Sequence, residues 1–193
     1  MLDNLEKYKI LLASKSPRRR ELLQKLRIPF HVVTIGGIRE DYPDDIPPLE
    51  VAQYISSEKA NVYQRHITGN ELFITADTVV VSEGRILGKP HDEKDAVEML
   101  MSLAGKTHEV ATGVTITTGD RRTSFTTVTK VTFAAFSEEE ARYYVQNYSP
   151  LDKAGAYGIQ EWIGCVAVES IEGSFYNVMG LPIHRLYEEL KMF

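Results

Sequence analysis

The chain alternates short apolar runs with longer segments in which apolar residues recur every three or four positions. This alternation is typical of α/β proteins, because buried strands appear as continuous apolar runs while surface helices keep one polar face. The first such pair is a strand at residues 8–13, followed by a helix that Ser16 caps and Pro17 opens. The pattern therefore predicts an α/β fold built on a mixed sheet.

The same patterns predict the remaining elements. Further strands are expected at residues 30–34, 72–81, 86–87, 110–118, 123–135 and 164–170. Further helices are expected at residues 49–65 and 92–103, after Ser137 and, at the C-terminus, from about Pro182. The stretches 41–48 and 152–160 are predicted loops. Since no repeat, low-complexity segment or clear linker interrupts the chain, residues 1–193 are predicted to form one domain.

The composition is that of an ordinary globular chain. Its 193 residues are 43% hydrophobic and 25% charged, and a chain of this length can bury about 70% of its unfolded surface. No apolar run approaches the roughly 18 residues of a membrane span, and the charged N-terminus lacks the apolar core of a signal peptide. The one cysteine, Cys165, excludes an internal disulfide. We therefore expect a cytoplasmic protein without membrane contact.

The formal net charge of -5 narrows the class of ligand. Proteins that hold long stretches of nucleic acid usually carry a basic face or a strongly basic composition. An acidic chain with local basic clusters suits a small anionic ligand better, so no nucleic-acid polymer is expected as a partner.

The first local cluster is the basic run at residues 16–20, where the first helix begins. Arg18 and Arg19 face the positive end of the helix dipole there, which costs roughly 0.3–1 kcal/mol each. The same geometry, with backbone N–H groups and guanidinium groups together, suits a phosphate chain. A solvated basic patch is the alternative interpretation.

A second departure from the local pattern is Asp77, which interrupts the apolar strand 72–81. A buried carboxylate is costly unless it is hydrogen-bonded or bound to a cation, and Mg²⁺ and Mn²⁺ prefer carboxylate oxygens. Glu40, after a glycine pair and a strand end, is a candidate second carboxylate. The alternatives are that Asp77 caps a nearby turn and that Glu40 belongs to a solvated acidic loop.

Two lysines complete the candidate phosphate contacts. Lys59 lies in the predicted helix 49–65, and Lys89 lies between a glycine and a proline after a predicted strand. A lysine is usually a solvated surface charge, so each alone is weak evidence of function. Neither Lys89 nor Arg19 has an evident folding task in its local sequence.

The loop at residues 152–160 is rich in small residues, which let a backbone approach a ligand closely. It ends at Gln160, whose amide offers an acceptor and donors suited to the edge of a base. An ordinary tight loop is the alternative.

Other chemistries find little support. The histidines lack the spacing of zinc ligands, and neither an acyl-transfer G-x-S-x-G motif nor a dinucleotide-binding G-x-G-x-x-G motif is present. Cys165 lies in the apolar run 164–170 and is expected to be a small core residue.

Seven segments, in their order along the chain, resemble the Maf family of septum-formation-inhibitor-like nucleotide pyrophosphatases. They are LASKSPRRRELL, GIRE, SEKA, ADTVV, LGKP, DKAGAYGIQ and GSFYNVMGLP, and the resemblance runs from Leu11 to about Leu190. ADTVV, GKP and DKAGAYGIQ together are highly specific. The resemblance implies a mixed twisted sheet with flanking helices, two lobes around a deep cleft as in inosine triphosphate pyrophosphatase-like folds, and often a homodimer.

The resemblance also implies an activity, which is hydrolysis of a nucleoside triphosphate to the monophosphate and pyrophosphate with a divalent metal, Mg²⁺ or Mn²⁺. The branch that prefers dTTP and UTP carries Ala-Asp-Thr and Tyr-Gly-Ile-Gln, as here at residues 76–78 and 157–160. The implied catalytic residues are Asp77, Glu40 and Lys89, of which Asp77 and Glu40 are also the implied metal ligands. The implied substrate-binding residues are Ser14, Arg18, Arg19, Lys59, Thr78 and Gln160.

In the implied mechanism, Asp77 and Glu40 hold the metal and orient or deprotonate the water that attacks the α-phosphorus. The family's usual acidic pair reads Arg39-Glu40 here, so Glu40 is the one carboxylate at that place. Thr78 and Gln160 would read the pyrimidine. The expected role is house-cleaning of nucleotide pools, including modified pyrimidine nucleotides, with a link to cell-division arrest. Two alternatives stay open: a pyrophosphatase for non-standard purines such as ITP and XTP, and a nucleotide-binding regulator of septum formation without turnover.

Overall fold

The structure is a computed structural model that describes residues 2–193. Among them are seven strands: β1 (Lys9–Ala13), β2 (His31–Val33), β3 (Glu71–Ser82), β4 (Arg85–Leu87), β5 (Thr107–Thr117), β6 (Arg122–Phe133) and β7 (Val168–Glu172). The helices are α1 (Pro17–Gln24), α2 (Val51–Gln64), α3 (Glu93–Leu103), α4 (Glu138–Tyr148), α5 (Trp162–Val166), α6 (Phe175–Val178) and α7 (Ile183–Leu190). No helix in this part of the chain has the length and apolarity needed to cross a bilayer.

Side chains cap the starts of α1 and α4, as the sequence predicts. The Ser16 hydroxyl accepts a hydrogen bond from the backbone N–H of Arg19 at 3.4 Å, and Pro17 occupies the first position of α1. At α4, the side chains of Ser137 and Glu140 each accept a hydrogen bond from the other's backbone N–H, which is a capping box. Both predicted helix starts are confirmed.

The strands form one mixed sheet in the order β2-β1-β3-β5-β6-β7, with β4 paired to β3 beside this path. β1 is parallel to β2 and to β3, whereas β4 and β7 run antiparallel to β3 and β6. Leu12 lies opposite Ile74 in the register of β1 and β3. Continued past Ala13, where β1 ends, this register brings the next residues close to Ala76 and Asp77, which lie in the middle of β3.

The chain divides into two compact units. The first comprises the described residues up to Asp77, together with Thr112–Thr127 and Gly180–Phe193. The second comprises Thr78–Ala111 and Val128–Met179.

In the first unit, α2 packs directly on β5. A Cβ at Gly113 would lie 2.3 Å from the backbone nitrogen of Gln53, so a larger residue would push the helix off the strand. Beside this contact, Leu11, Phe73 and Tyr63 form an apolar cluster with the aromatic rings of the last two 5.3 Å apart. The cluster fixes α2 against the ends of β1 and β3.

In the second unit, an aromatic group forms the centre of the core. The rings of His108, Phe133 and Tyr157 meet edge to face at centroid distances of 4.9 to 5.4 Å. The Nε2 atom of His108 shares a 2.7 Å hydrogen bond with the Tyr157 hydroxyl. This group anchors the loop that contains Tyr157 to β5 and β6.

The predicted strand at residues 164–170 is wrong in its first half. That half belongs to helix α5, and the strand begins only at Val168. Short apolar runs do not separate strand from helix by periodicity, and here Ile163 and Ala167 are buried at helical spacing. A Cβ at residue 164 would lie 1.8 Å from the carbonyl oxygen of Ile159. The glycine at this position has no Cβ and therefore allows the helix to form. Cys165 is exposed on α5 and is not the core residue that was predicted.

Candidate active site

Lys59, Asp77 and Glu40 form a compact ionic cluster in the first unit. The Nζ atom of Lys59 lies 2.8 Å from Oδ1 of Asp77 and 2.7 Å from Oε1 of Glu40. The side chains of Lys59 and Asp77 are only 13% and 14% exposed, whereas that of Glu40 is 49% exposed. One lysine thus holds two carboxylates of different solvent exposure.

The cluster arises from the packing of α2 against β3. The buried apolar residues of α2 face the sheet and leave Lys59 directed at the middle of β3, where Asp77 interrupts the apolar pattern. A buried charge persists when an opposite charge compensates it. Lys59 is the cationic partner that the buried position of Asp77 required.

Arg19, on α1, reaches the same part of β3. Its Nε donates a hydrogen bond to the carbonyl oxygen of Gly180 and its Nη1 to that of Ala76, both at 2.8 Å. Burial lowers the pKa of Arg19, and the nearby charge of Asp77 opposes that change. Arg19 remains a cation, because a guanidinium group is not deprotonated in proteins. Contrary to the sequence-based expectation, Arg19 has a structural task, since it joins two backbone segments.

Ser14 lies just ahead of α1. Its hydroxyl accepts a hydrogen bond from the backbone N–H of Ser16 at 3.1 Å, and Arg18 follows in the first turn of the helix. A cavity of about 530 Å³ borders this turn. Its lining includes Ser14, Lys15 and Arg20, which give it a basic, hydroxyl-bearing wall. Arg18 and Arg19, the two arginines predicted to bind phosphate, are not part of this lining.

The other predicted site residues belong to the second unit. Thr78 follows Asp77 in β3 and is partly exposed, and Lys89 and Gln160 are exposed. The backbone N–H of Gly155 donates to the carbonyl oxygen of Gly88 at 3.0 Å, which ties the loop of Gln160 to the segment of Lys89. Within this unit the structure brings together two segments that the sequence analysis selected separately.

Sequence reasoning missed a buried polar network in the same loop. The Nζ atom of Lys153 contacts carboxylate oxygens of Asp152 at 2.8 Å and of Glu161 at 3.2 Å, and Glu161 also accepts a hydrogen bond from the Tyr144 hydroxyl. Nothing in the local sequence distinguishes Lys153 from a solvated lysine. Tyr144, which donates to Glu161, comes from a helix that ends before the loop begins, so only tertiary structure reveals the network.

The carboxylates of Asp77 and Glu40 are the candidates for holding a metal. Residues 2–193 contain no group of three or more histidine, cysteine, aspartate or glutamate side chains arranged to bind a metal ion. Two carboxylates nevertheless fit the chemistry of Mg²⁺ or Mn²⁺, which are often held by one or two carboxylates, substrate phosphates and water. Asp77 and Glu40 are therefore residues that could hold such an ion, and in the structure both carboxylates are paired with Lys59.

By its fold, this is an α/β protein with a mixed sheet, in which carboxylates and cations meet beside the strand β3. The model of the family described as Maf-like protein matches residues 9–193, and the chain belongs to this family. The predicted family is confirmed.

Known relatives cover nearly the whole chain. A protein of Phocaeicola vulgatus named dTTP/UTP pyrophosphatase is 56% identical over 99% of both chains. A protein of the same name from Bacteroides thetaiotaomicron is 55% identical, again over 99% of both. The structure of the Staphylococcus aureus Ham1 protein has a TM-score of 0.53 at 15% identity, covering 94% of this chain and 99% of that one. This last likeness concerns the fold alone and confirms the predicted fold type.

Proposed function

We propose that this protein hydrolyses dTTP and UTP to the nucleoside monophosphate and pyrophosphate. The relatives described above carry this activity in their names and align with almost every residue of the chain. The observation that carries the proposal is the cluster in which Lys59 holds the carboxylates of Asp77 and Glu40. A carboxylate kept in place next to cations suits the hydrolysis of a polyanionic anhydride.

The positive side chains match the charge of the substrate. A nucleoside triphosphate carries about four negative charges, and phosphoryl transfer depends mainly on positioning and on neutralising charge. Arg18, Arg19 and Lys59 are the cations that we assign to the phosphate chain from the first unit, and Lys89 is the one from the second. Ser14 adds a hydroxyl that can donate to a phosphate oxygen.

We assign a divalent metal, Mg²⁺ or Mn²⁺, to Asp77 and Glu40. When bound, such an ion supplies Lewis-acid charge and lowers the pKa of a water molecule. The half-exposed carboxylate of Glu40 is able to exchange Lys59 for another cation, because its side chain remains open to solvent.

The proposed chemical step proceeds by attack of water at the α-phosphorus. Asp77 accepts a proton from the water as the new O–P bond forms. The bond between the α-phosphorus and the bridging oxygen to the β-phosphorus breaks, and pyrophosphate leaves with that oxygen. Lys59, beside Asp77, limits the build-up of negative charge, while Arg19 and Lys89 neutralise the phosphates.

Recognition of the base is assigned to Thr78 and Gln160. The Gln160 amide offers both a donor and an acceptor, which match the alternating groups on the edge of uracil or thymine. A purine base leaves these hydrogen-bonding groups unpaired, and this strongly lowers kcat/KM for a purine triphosphate.

The test is a panel of nucleoside triphosphates assayed with Mg²⁺, with Mn²⁺ and with a chelator. We expect turnover of UTP and dTTP that the chelator abolishes, with mass spectrometry showing UMP or dTMP and pyrophosphate. Diphosphate and orthophosphate as products would place the attack at the γ-phosphorus and overturn the proposal. Preferred turnover of ITP or XTP would indicate purine house-cleaning, and binding without turnover would indicate a regulator.

The family resemblance also supports a cytoplasmic homodimer. Sedimentation analysis of the purified chain tests the assembly, and fractionation of cells tests the location. A monomer at assay concentrations, or recovery outside the cytoplasm, would contradict these two assignments.

A further inference from the structure

A buried ionic network lies under the loop that ends at Gln160. The side chain of Lys153 is 9% exposed, yet it carries an ammonium group that contacts Asp152 at 2.8 Å and Glu161 at 3.2 Å. Lysines are rarely buried unless they are paired. Burying such a pair seldom adds stability over apolar residues of the same volume, so the network calls for an explanation other than stability.

Tyr144 extends the network from α4 to the backbone of the loop. Its fully buried hydroxyl donates a hydrogen bond to Glu161 and accepts one from the backbone N–H of Gly158 at 3.0 Å. Burial raises the pKa of Tyr144, and the bond to Glu161 raises it further. The hydroxyl therefore stays protonated and keeps its role as donor.

The two ends of this network lie on either side of Gln160. Gly158 precedes it by two residues and Glu161 follows it directly. A Cβ on Gly158 would lie 2.9 Å from Nε2 of Gln160 and 2.8 Å from Cδ of Glu161, so the Gln160 amide lies across Gly158. The network thus fixes the backbone on both sides of an exposed side chain that has no helix or strand to support it.

We propose that Tyr144, acting through Glu161 and Gly158 with Lys153 behind them, is a positioning residue that orients the Gln160 amide for the pyrimidine edge. The inference rests on the proposed function, because it explains how that function's base contact is held. A free glutamine side chain samples several rotamers, and fixing it before binding increases discrimination between bases. Tyr144 itself is buried and does not touch the base.

The variant Tyr144→Phe removes one hydroxyl and keeps the ring. Tyr143→Phe is the matched control, since it makes the same change one residue earlier on α4, where the ring is 49% exposed and contacts Trp162. The readout is the ratio of kcat/KM for UTP to that for ATP. We expect Tyr144→Phe to lower this ratio at least about fivefold through KM for UTP, the equivalent of one lost hydrogen bond. Tyr143→Phe should leave it unchanged.

A double-mutant cycle separates positioning from general support. If Tyr144 acts through Gln160, adding Tyr144→Phe to Gln160→Leu should not change the UTP-to-ATP ratio further. Lys153→Met provides a second probe and should lower the ratio in the same direction. A lower melting temperature in Tyr144→Phe with an unchanged ratio, or additive effects in the cycle, would overturn the inference.

The dissociation constants of α,β-imido-UTP and α,β-imido-ATP keep this test separate from turnover. If the wild type hydrolyses neither nucleotide, the proposed function fails, while a UTP preference in binding that Tyr144→Phe removes still supports positioning. A wild type that binds both analogues equally has no base selection to orient, and this result would also overturn the inference.

Discussion

The ammonium of Lys59 lies 2.8 Å from the carboxylate of Asp77, and the two side chains are almost equally buried. The same ammonium contacts Glu40 at 2.7 Å, so one cation lies between two carboxylates, with the charge of Arg19 nearby. Asp77 interrupts a strand of otherwise apolar residues, and this pairing explains how the strand accommodates it. The relationship also makes the behaviour of each partner testable.

Asp77→Asn should fold and lose at least about 10²-fold in kcat, because the amide keeps the shape of the carboxylate but neither accepts a proton nor binds a metal. Steady-state kinetics with UTP measures the loss, and circular dichroism checks the fold. Turnover close to that of the wild type would indicate that Asp77 has a purely structural role.

Lys59→Met should tighten the binding of Mn²⁺ in the absence of nucleotide, by about tenfold or more, because it removes a cation that contacts both proposed metal ligands. Electron paramagnetic resonance titration of free Mn²⁺ gives the dissociation constant. Lys25→Met is the control, since Lys25 is half exposed and pairs only loosely with Glu21 at 3.6 Å. Equal Mn²⁺ affinity in all three proteins would argue against a metal at this carboxylate pair.

Arg19→Ala should lower both activity and stability. The guanidinium donates to the carbonyl oxygens of Gly180 and Ala76, and losing hydrogen bonds to a charged group costs about 1.5–3 kcal/mol each. Urea unfolding and UTP kinetics measure the two effects, with Lys25→Ala as control, since Lys25 is half exposed and directly follows the same helix. An unchanged unfolding midpoint in Arg19→Ala would show that these hydrogen bonds contribute nothing net.

Gln160→Leu should lower kcat/KM for UTP much more than for a purine triphosphate. The exposed amide is the proposed base contact, whereas the phosphate contacts are left in place. Residual activity should therefore survive. An equal fall for every nucleotide would mean that Gln160 supports the loop and that the base is selected elsewhere.

His108 should make the protein less stable as the pH falls. Burial lowers the pKa of His108 from 6.5 to about 4. Between these two pH values the unfolded chain binds a proton at His108 that the folded chain does not bind. Stability therefore decreases as the pH drops from about 6.5 towards 4, by up to about 3 kcal/mol. Urea unfolding of the wild type and of His108→Gln between pH 7.5 and 4 tests this. The variant should show a shallower dependence, and identical slopes would contradict the assignment.

Much of the fold follows from local sequence. The start of α1 at Ser16 and that of α4 at Ser137 depend on capping groups within four residues, and the sequence predicts both. The predicted strand at residues 164–170 is wrong in its first half because a short apolar run does not distinguish a strand from a helix, and Ile163 and Ala167 are buried at helical spacing. Local patterns predict an element well when the forces that form it are themselves local.

The sequence by itself determined the family, the α/β class and the candidate residues, because motifs and burial patterns are written along the chain. Only the tertiary structure decided their partners. It showed that Lys59 pairs with Asp77 and Glu40, that Arg19 joins two backbone segments, and that Lys153 is buried. The reason is physical: whether a charge is solvated or paired depends on which segments fold against it, and those segments lie far apart in sequence.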